Sequence, residues 1–507
     1  MTRGARLVAN VALVLGLACA GEGGVRIRID APVDPTLSPL DERVATVALL
    51  TEEEGQLLQL ATRPAGDRSS SLGLGEIRVG EGVRLALQVL SPTGRMLGHG
   101  RATGPVEVSA ERVSEVPIRL RRPLAFVAGA FDLRAFDTTL DPGEPMERGI
   151  AVGSFPVAVA PTPDGGELVV IAAERLHLLS TSNHKPLENA KVSLAAGARD
   201  VAVSPDSRWA LVTHDAGLSV VDLSSPREGH ETKPTFLPLG RVGGVAVDNN
   251  VGYVLIDKAE AGSCAGRSSI QPVPLPVPET LPSPIELDMG VNDLAVDPSS
   301  GRLLLGAACL GLRLLSPSSG GQATLELLAM EMPTVVAIQG RRAWAAGQVP
   351  GPNAHLVLAS IGLDGGGKQV LDLPVPEERA KSNELRLSQE GQVAEIRMTA
   401  DWVMAYDLAV LPGGAHVAIL VHAKYRAETS GQVFGMPIIP QMDVETREYQ
   451  LVDTKAGVPI QRMRAACDIS LTGIAILSDF ECTLTPGQDV ARPPYNPTHV
   501  AVLFGER

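Results

Sequence analysis

The sequence is poor in aromatic side chains, since Phe, Trp and Tyr together make up 3% of its 507 residues. Its core must therefore be built from Val, Leu, Ile and Ala, which suits many thin β layers better than a few helices anchored by aromatic rings. Dense runs of Lys and Arg are also lacking, and the formal net charge is -14. Such a chain has no electrostatic footprint for nucleic acid or for an anionic membrane surface, so we expect neither as a partner.

Short motifs typical of several enzyme classes are missing as well. The sequence contains no G-x-S-x-G, no H-E-x-x-H, no EF-hand loop and no C-x-x-C, which are the usual signals for a serine nucleophile or a bound metal. Residues 362–368, GLDGGGK, match most of a phosphate-binding loop, but Gln369 offers no hydroxyl for magnesium and the segment after it cannot open a helix. We interpret this segment as a hairpin turn and predict no cofactor.

The first 18 residues have the three parts of an export signal. Arg3 and Arg6 form the charged region, residues 7–17 are apolar, and small residues follow. The apolar stretch is too short to be a comfortable membrane span. We therefore predict a signal peptide at residues 1–18, with a buried N-terminal strand or helix as the alternative.

Residues 15–19, LGLAC, resemble a bacterial lipobox, which is cut before a cysteine linked to diacylglycerol; Gly16 departs from the usual leucine. The resemblance implies a lipid on Cys19, attachment to a membrane through that lipid alone, and a place at the outer membrane, facing the periplasm or the surface. Residues 19–24 would then be the anchor and a glycine-rich tether. Cleavage after Ala20, by the A-x-A pattern, is the alternative.

The cysteine count is odd, which leaves one thiol to explain in an exported protein. If Cys19 carries the lipid, four cysteines remain, and we predict that Cys264 pairs with Cys309 and Cys467 with Cys482. In an oxidising compartment, a disulfide that closes a loop of about 15 residues contributes roughly 3 kcal/mol to stability.

Residues 25–122 contain short runs in which apolar and polar residues alternate, separated by turns such as residues 91–94, SPTG. This period of two, without a helical stripe, predicts a small antiparallel β-sandwich domain of six or seven strands. The pattern resembles Ig-like or transthyretin-like modules.

Residues 123–507 repeat a strand-turn-strand pattern, whose clearest copy is residues 200–223, DVAVSPDSRWALVTHDAGLSVVDL. One apolar residue in the strand before each turn marks the copies: Val157, Val201, Val245, Leu294, Val335, Leu408 and Ile469. Their spacings are 44, 44, 49, 41, 73 and 61 residues. Spacings of this size, each holding about four short strands, predict the blades of a β-propeller.

The repeat resembles the YVTN or lactonase-like propeller repeat, in which a Pro-Asp-Gly turn follows the first strand. Matching turns are residues 163–165, 205–206 and 297–301, with residues 412–414 a looser match. The resemblance implies a fold and leaves the activity open, since the family includes enzymes, binding proteins and scaffolds.

Seven anchors predict seven blades, or eight if residues 365–401 hide another. Residues 124–128, 133–136 and 150–152 look like three strands without an innermost partner, and the Ile469 unit and residues 498–504 look like strands without outer partners. We expect the two groups to join in one sheet. This closure would remove an open sheet edge. Residues 270–284 are rich in proline, and we expect an extended surface segment there rather than a central strand.

An aspartate directly precedes four of the anchors: Asp200, Asp293, Asp407 and Asp468. The repeat would place these carboxylates at comparable heights around the axis, where they could bind a divalent metal or take part in catalysis. The alternative is that they cap turns or face solvent where each strand starts. The dipeptide His214-Asp215 at a strand end is open to the same two interpretations.

The sequence favours a non-enzymatic module, a scaffold or recognition domain on the cell envelope that binds a protein or glycan through loops at the propeller rim. The alternative is a propeller hydrolase or lactonase that acts on a small substrate at the central channel. That activity would need at least three titratable groups converging at one channel mouth.

Overall fold

The computed structural model describes residues 15–16, 24–53, 56–64, 82–102, 104–107, 113–129, 132–140, 147–152, 155–227, 232–248, 250–257, 266–318, 321–325, 332–349, 355–373, 384–386, 393–430, 432–433, 436–437, 442–464, 468–470 and 497–502. The chain divides into two compact units, Met1–Arg122 and Pro123–Arg507.

The first unit is built from strands in two sheets. Its strands are β1 (Leu15–Gly16), β2 (Gly24–Asp30), β3 (Thr46–Glu53), β4 (Gln56–Pro64), β5 (Gly82–Leu90), β6 (Met96–Arg101), β7 (Val106–Glu107) and β8 (Val113–Arg119). One sheet has the order β1-β2-β8, and the other has the order β4-β3-β5-β6 with β7 also paired to β5. Alternation along β2 buries Val25 and Ile27, which join Leu49, Leu85 and Ile118 in one hydrophobic cluster. The two sheets therefore share a core.

Two features of this unit differ from the sequence prediction. Strand β8 runs parallel to β2, so the unit is not purely antiparallel. The two strands can be parallel because the chain reaches β8 by crossing from the other sheet, whereas a hairpin would make them antiparallel. Strand β1 lies inside the predicted signal peptide and pairs with β2. That pairing is what the alternative, an N-terminal strand, predicts, and the signal peptide stays a prediction.

In its described residues, the second unit is all-β apart from short helical turns. Its strands are β9 (Leu124–Gly129), β10 (Leu133–Asp137), β11 (Glu147–Ile150), β12 (Pro156–Pro161), β13 (Glu167–Ala172), β14 (Arg175–Ser180), β15 (Pro186–Ser193), β16 (Ala198–Val203), β17 (Trp209–His214), β18 (Gly217–Asp222), β19 (Thr235–Leu237), β20 (Val242–Val247), β21 (Val251–Ile256), β22 (Ser269–Pro274), β23 (Ile285–Glu286), β24 (Val291–Val296), β25 (Leu303–Ala307), β26 (Gly311–Ser316), β27 (Gly321–Leu325), β28 (Met332–Gln339), β29 (Arg342–Val349), β30 (His355–Gly362), β31 (Gln369–Leu373), β32 (Glu384–Arg386), β33 (Val393–Val410), β34 (His416–Ser430), β35 (Gln432–Val433), β36 (Met436–Pro437), β37 (Met442–Asp453), β38 (Val458–Arg464), β39 (Asp468–Ser470) and β40 (Pro497–Val502). Helix α1 (Ser224–Arg227) follows β18, and a 3-10 turn (Pro412–Gly414) follows β33. No helix within the described ranges has the length and apolar character that a membrane crossing requires.

These strands form antiparallel sheets of mostly consecutive strands. The orders are β12-β13-β14-β15, β16-β17-β18-β19, β20-β21-β22-β23, β24-β25-β26-β27, β28-β29-β30-β31, β32-β33-β34-β37-β38 and β11-β10-β9-β40, and β35 and β36 form a separate pair. One strand of each larger sheet contacts the corresponding strand of the next sheet, from β12 through β16, β20, β24, β28, β33 and β40 and back to β12. Hydrophobic clusters lie between consecutive sheets. The second unit is therefore propeller-like.

Each of these seven contacting strands, which we term the inner strands, has an irregularity at the same place. The register against the second strand shifts between Pro156 and Ala158, Ala198 and Asp200, Val242 and Gly244, Val291 and Asp293, Pro333 and Val335, Ala405 and Asp407, and Pro497 and His499. Each shift leaves one residue without an opposite partner, as in a β-bulge, and such a bulge redirects the side chains beside it. The repeat is thus a repeat of backbone geometry as well as of sequence.

The predicted closure is confirmed for β40, but the Ile469 unit takes no part in it. Strand β40, from the end of the chain, pairs with β9 and completes the sheet that β9, β10 and β11 begin. Since β9 would otherwise present an unpaired edge, this pairing protects the start of the unit.

Two finer predictions are wrong. Ile469 does not mark an inner strand, because it lies on β39, where it is paired with Val444 of β37. The seventh inner strand is β40 instead. The proline-rich stretch begins as a strand, β22, with Pro272 and Pro274 inside it. These prolines are tolerated because the outer strand β23 pairs only with Ser269 and Ile270 of β22. No described strand lies beside Pro272 and Pro274 on that side, so no backbone N–H is needed there for a ladder hydrogen bond.

Candidate functional site

Three of the four predicted aspartates occupy one repeated backbone position. Asp200, Asp293 and Asp407 each follow the unpaired residue of the irregularity in an inner strand. The sequence pattern therefore placed these three residues in register correctly.

Asp407 shows what this position does. Its carboxylate is 2% exposed; Oδ1 accepts a hydrogen bond from the backbone N–H of Leu408 at 2.9 Å, and Oδ2 accepts one from the backbone N–H of Val500 at 2.7 Å. Val500 belongs to β40, so the side chain joins the inner strands of two neighbouring sheets. Both oxygens satisfy buried backbone donors that would otherwise be left unpaired.

Asp293 makes the equivalent connection two sheet pairs earlier, between β24 and β28. Its Oδ2 accepts a hydrogen bond from the backbone N–H of Val336, on the next inner strand, at 2.9 Å. Beside it, the Asn292 side-chain amide donates to the carbonyl of Pro333 at 2.8 Å, across the same two strands. Asp293 and Asp407 thus link neighbouring sheets, a role that neither interpretation of the sequence predicted.

The fourth aspartate is not equivalent to the other three. Asp468 lies on β39, opposite Glu445 of the long strand β37, and this pairing places it outside the ring of inner strands. The sequence pattern mispredicted the position of Asp468 because β39 has only three residues, Asp-Ile-Ser. So short a pattern does not distinguish an inner strand from another short strand. Within the ranges that the structure describes, no three His, Cys, Asp or Glu side chains are grouped so as to hold a metal, and the metal site stays a prediction.

His214 and Ser219 form a hydrogen-bonded pair that superficially resembles a base and its nucleophile. The distance from His214 Nε2 to Ser219 Oγ is 2.8 Å, but both side chains are 0% exposed. Burial lowers the pKa of His214, and neighbouring Asp215 forms an ion pair with Arg199 instead. Because a substrate cannot reach the hydroxyl, the pair joins β17 to β18 and does not form an active site.

The glycine-rich segment is a hairpin turn, as predicted. It connects β30 to β31, and the backbone N–H of Gly362 donates to the carbonyl of Gly366 at 2.7 Å. Gly365 has a φ of 86°, a conformation that glycine adopts without strain. Asp364 Oδ1 accepts a hydrogen bond from the Gly366 N–H at 2.9 Å, so the turn is closed by its own groups.

The structure describes one of the five cysteines, Cys309. Cys309 lies in the turn between β25 and β26 and is not a free thiol. Cys19, Cys264, Cys467 and Cys482 lie outside the described residues. The lipid on Cys19 and the pairing of the other four therefore stay predictions.

A surface feature that sequence reasoning missed lies at one end of the sheets. If the four strands of a sheet are lettered A to D from the inner strand outward, the turn from B to C lies at the end where the inner strand A begins. We term this end the BC end. Three exposed apolar side chains lie there. Phe155, just before β12, is 58% exposed, and Leu310, in the turn from β25 to β26, is 48% exposed. Phe236 is 42% exposed and pairs with Ser219, near the start of β18. Such side chains are typical of surfaces that meet a partner.

Phe155 is distinguished by its backbone as well. Its φ is 58°, a left-handed conformation that is a genuine outlier for a bulky residue. Strain of this kind concentrates at functional positions. No periodicity in the sequence could reveal it, because it depends on how the chain enters β12.

Comparison with known proteins defines no family for this chain. No family model matches it, and no curated protein matches it. It is similar to a chain in a crystal structure of the nidogen/laminin complex, with 14% identity and a TM-score of 0.34 over 49% of this chain and 92% of that one. It is also similar to the dihydro-heme d1 dehydrogenase NirN in complex with DHE, with 13% identity and a TM-score of 0.39 over 74% of each chain. At these TM-scores the likeness carries no argument, and the propeller-like class of the second unit rests on its own sheets.

Proposed function

We propose that this protein is a non-enzymatic recognition module of a bacterial cell envelope. In this proposal it is exported, a lipid on Cys19 attaches it to the outer membrane, and the second unit binds a protein or glycan at its BC end. The two sheets of the first unit, with their common core, form an Ig-like or transthyretin-like sandwich, which follows the anchor in the sequence. The second unit is a seven-bladed propeller of the YVTN or lactonase-like type.

Seven blades are supported by the cycle of contacts among the inner strands, which returns from β40 to β12. The repeated irregularity in all seven inner strands supports the same count. Each blade is then one larger sheet, and the blade that β40 completes closes the ring.

The observation that carries the binding proposal is the conformation of Phe155. A phenylalanine that is 58% exposed and held at a φ of 58° costs the fold free energy twice, through an apolar surface left in water and through backbone strain of order 1–3 kcal/mol. A partner that covers the ring would recover the first of these terms. Phe236 and Leu310 supply further apolar contacts at the same end of their sheets.

We do not propose the hydrolase alternative. It needs titratable groups that converge and stay free to react, whereas Asp293 and Asp407 bind backbone amides of the neighbouring inner strand.

Site-specific photocrosslinking in the native envelope tests the binding surface. A benzophenone amino acid replaces Phe155 in one variant and Val458 in a matched control. Val458 is 49% exposed but begins the outer strand β38 at the opposite end of its sheet, where the chain turns from β37. We expect a specific crosslinked product from position 155 and none from position 458. If the two positions give the same products, or if position 155 gives none, the BC end is not the binding surface.

The anchor and the disulfides have separate tests. A Cys19→Ala variant should leave the membrane fraction and lose labelling by a fatty acid; a variant that stays in the membrane fraction contradicts the lipid proposal. Mass spectrometry of the non-reduced, digested protein should find the peptides of Cys264 and Cys309 joined, and those of Cys467 and Cys482 joined.

A further inference from the structure

A pocket of about 440 Å³ lies between two sheets of the second unit. One wall is the face of β14 and β15, and the other is the segment that follows β11. Its lining includes Val152, Arg175, His177, Leu179, Pro186 and Lys191. Its volume falls within the range of small-molecule sites in proteins.

Three basic side chains share this face. Arg175 and His177 are two residues apart on β14, so they point to the same side of the sheet. Lys191 is directly opposite His177 in the register of β14 and β15, a position in which the two Cβ atoms are about 5 Å apart. The sheet itself therefore fixes two cationic groups, Arg175 and Lys191, beside the imidazole of His177.

Among the described residues that line this pocket there is no carboxylate, although the chain as a whole carries a net charge of -14. Among the described residues, neither Arg175 nor Lys191 is bound to an acidic partner. Burial lowers the pKa of His177, the charges of Lys191 and Arg175 lower it further, and the Ala172 carbonyl partly opposes them. The described lining of the pocket thus carries positive charge that no other described lining residue neutralises.

We propose that this pocket binds a small organic anion, whose carboxylate or phosphate group contacts Arg175, His177 and Lys191. The guanidinium of Arg175 suits either group, because its parallel N–H donors match two oxygens of a carboxylate or phosphate. Apolar side chains form the rest of the wall, namely Val152, Leu179 and Pro186. They would contact an apolar body, which distinguishes the ligand from an inorganic ion.

The test uses three probes of similar size that differ in the charged group: phenyl phosphate, benzoate and benzyl alcohol. Binding to the full chain is measured by titration calorimetry at low ionic strength and again at about 0.5 M salt. We expect phenyl phosphate, benzoate or both to bind, with weaker binding in salt because exposed charges are screened. Binding of phenyl phosphate alone assigns a phosphate ligand, and binding of benzoate alone assigns a carboxylate ligand. Benzyl alcohol should not bind measurably at concentrations up to about 10 mM.

Variants connect any binding to the three basic groups. Arg175→Gln and Lys191→Gln change exposed residues, so they should fold, and each should weaken binding about tenfold through loss of a charge-assisted hydrogen bond. The matched control is Lys185→Gln, which removes one positive charge from the turn before β15 but does not line the pocket; it should leave the affinity unchanged within about twofold. The proposal is overturned if neither anion binds, if benzyl alcohol binds as tightly as the anions, or if Lys185→Gln weakens binding as much as Lys191→Gln.

Discussion

The carboxylate of Asp407 and the backbone N–H of Val500 are joined by a 2.7 Å hydrogen bond that spans 93 residues of sequence. Asp407 lies on the inner strand β33 and Val500 on the inner strand β40, which the end of the chain contributes. The bond therefore fastens the sheet that closes the ring to the sheet before it. Asp293 and Val336 repeat the relationship at 2.9 Å between β24 and β28, so the link belongs to the repeat and not to the closure alone.

Replacing Asp407 should destabilise the second unit. Asp407→Ala leaves two buried backbone donors, those of Leu408 and Val500, without an acceptor, and we expect a loss of about 3 kcal/mol. Asp407→Asn keeps one acceptor oxygen and should lose about half as much. The control is Asp372→Ala, because the Asp372 side chain is 79% exposed and its removal should change little. Urea unfolding followed by circular dichroism measures the midpoints; equal midpoints for Asp407→Ala and the control would contradict the link.

Removal of β40 should open the ring. A chain that ends at residue 496 loses the partner of β9, and an exposed strand edge of this kind promotes association between molecules. We expect low soluble yield and early elution in size-exclusion chromatography. A chain that ends at residue 502 keeps β40 and serves as the control. If the shorter chain is monomeric and unfolds at the same urea concentration as the control, closure by β40 is not what stabilises the second unit.

Much of the architecture could be predicted from the sequence, because it depends on local patterns. The anchors Val157, Val201, Val245 and Leu294 lie in inner strands, since an apolar run followed by a turn has few alternatives. The closure by residues near Val500 was also predictable, since three strands without a partner need one. Prediction failed at Ile469, where the same local pattern occurs on a short strand beside β37.

The candidate sites were far less predictable, because they depend on contacts between distant residues. The position of Asp293 could be predicted, but its bond to Val336, 43 residues away, could not. The pocket was missed entirely: Arg175 and Lys191 are 16 residues apart in the sequence, and only the register of β14 with β15 brings them onto one face. The strained backbone of Phe155 likewise has no local signal.

Asp41 should make the stability of the first unit depend on acid pH. Its carboxylate forms ion pairs of 2.7 Å with both Arg43 and Arg122. Burial raises the pKa of Asp41, but the hydrogen bonds and charges of the two arginines outweigh it and hold the pKa below its ordinary value of 3.8. Because the pKa is lower in the folded state, this stabilisation is complete above the unfolded pKa and is lost as the pH falls through the folded value.

The measurement is thermal unfolding of the full chain at several pH values from neutral down to about 2.5. Asp41→Asn should lower the unfolding temperature at neutral pH and reduce the further decline in acid. Glu115→Gln, a change to an exposed carboxyl on β8 in the same unit, should leave the acid decline unchanged. An Asp41→Asn variant with the wild-type acid decline would show that other carboxyls cause it.

Tyr449 offers a substitution that should stabilise the protein. Its ring is 0% exposed and stacks on Phe136 with centroids 4.6 Å apart, and among the described residues its hydroxyl has no hydrogen-bond partner. Burial without a partner raises the pKa of this phenol and costs about 1–3 kcal/mol of stability. Tyr449→Phe removes the hydroxyl and keeps the stack, so we expect a higher urea midpoint, by the equivalent of about 1 kcal/mol. Tyr449→Leu is the control that loses the stack, and it should lower the midpoint by the equivalent of about 1–3 kcal/mol. A lower midpoint for Tyr449→Phe would mean that the hydroxyl is hydrogen-bonded in solution.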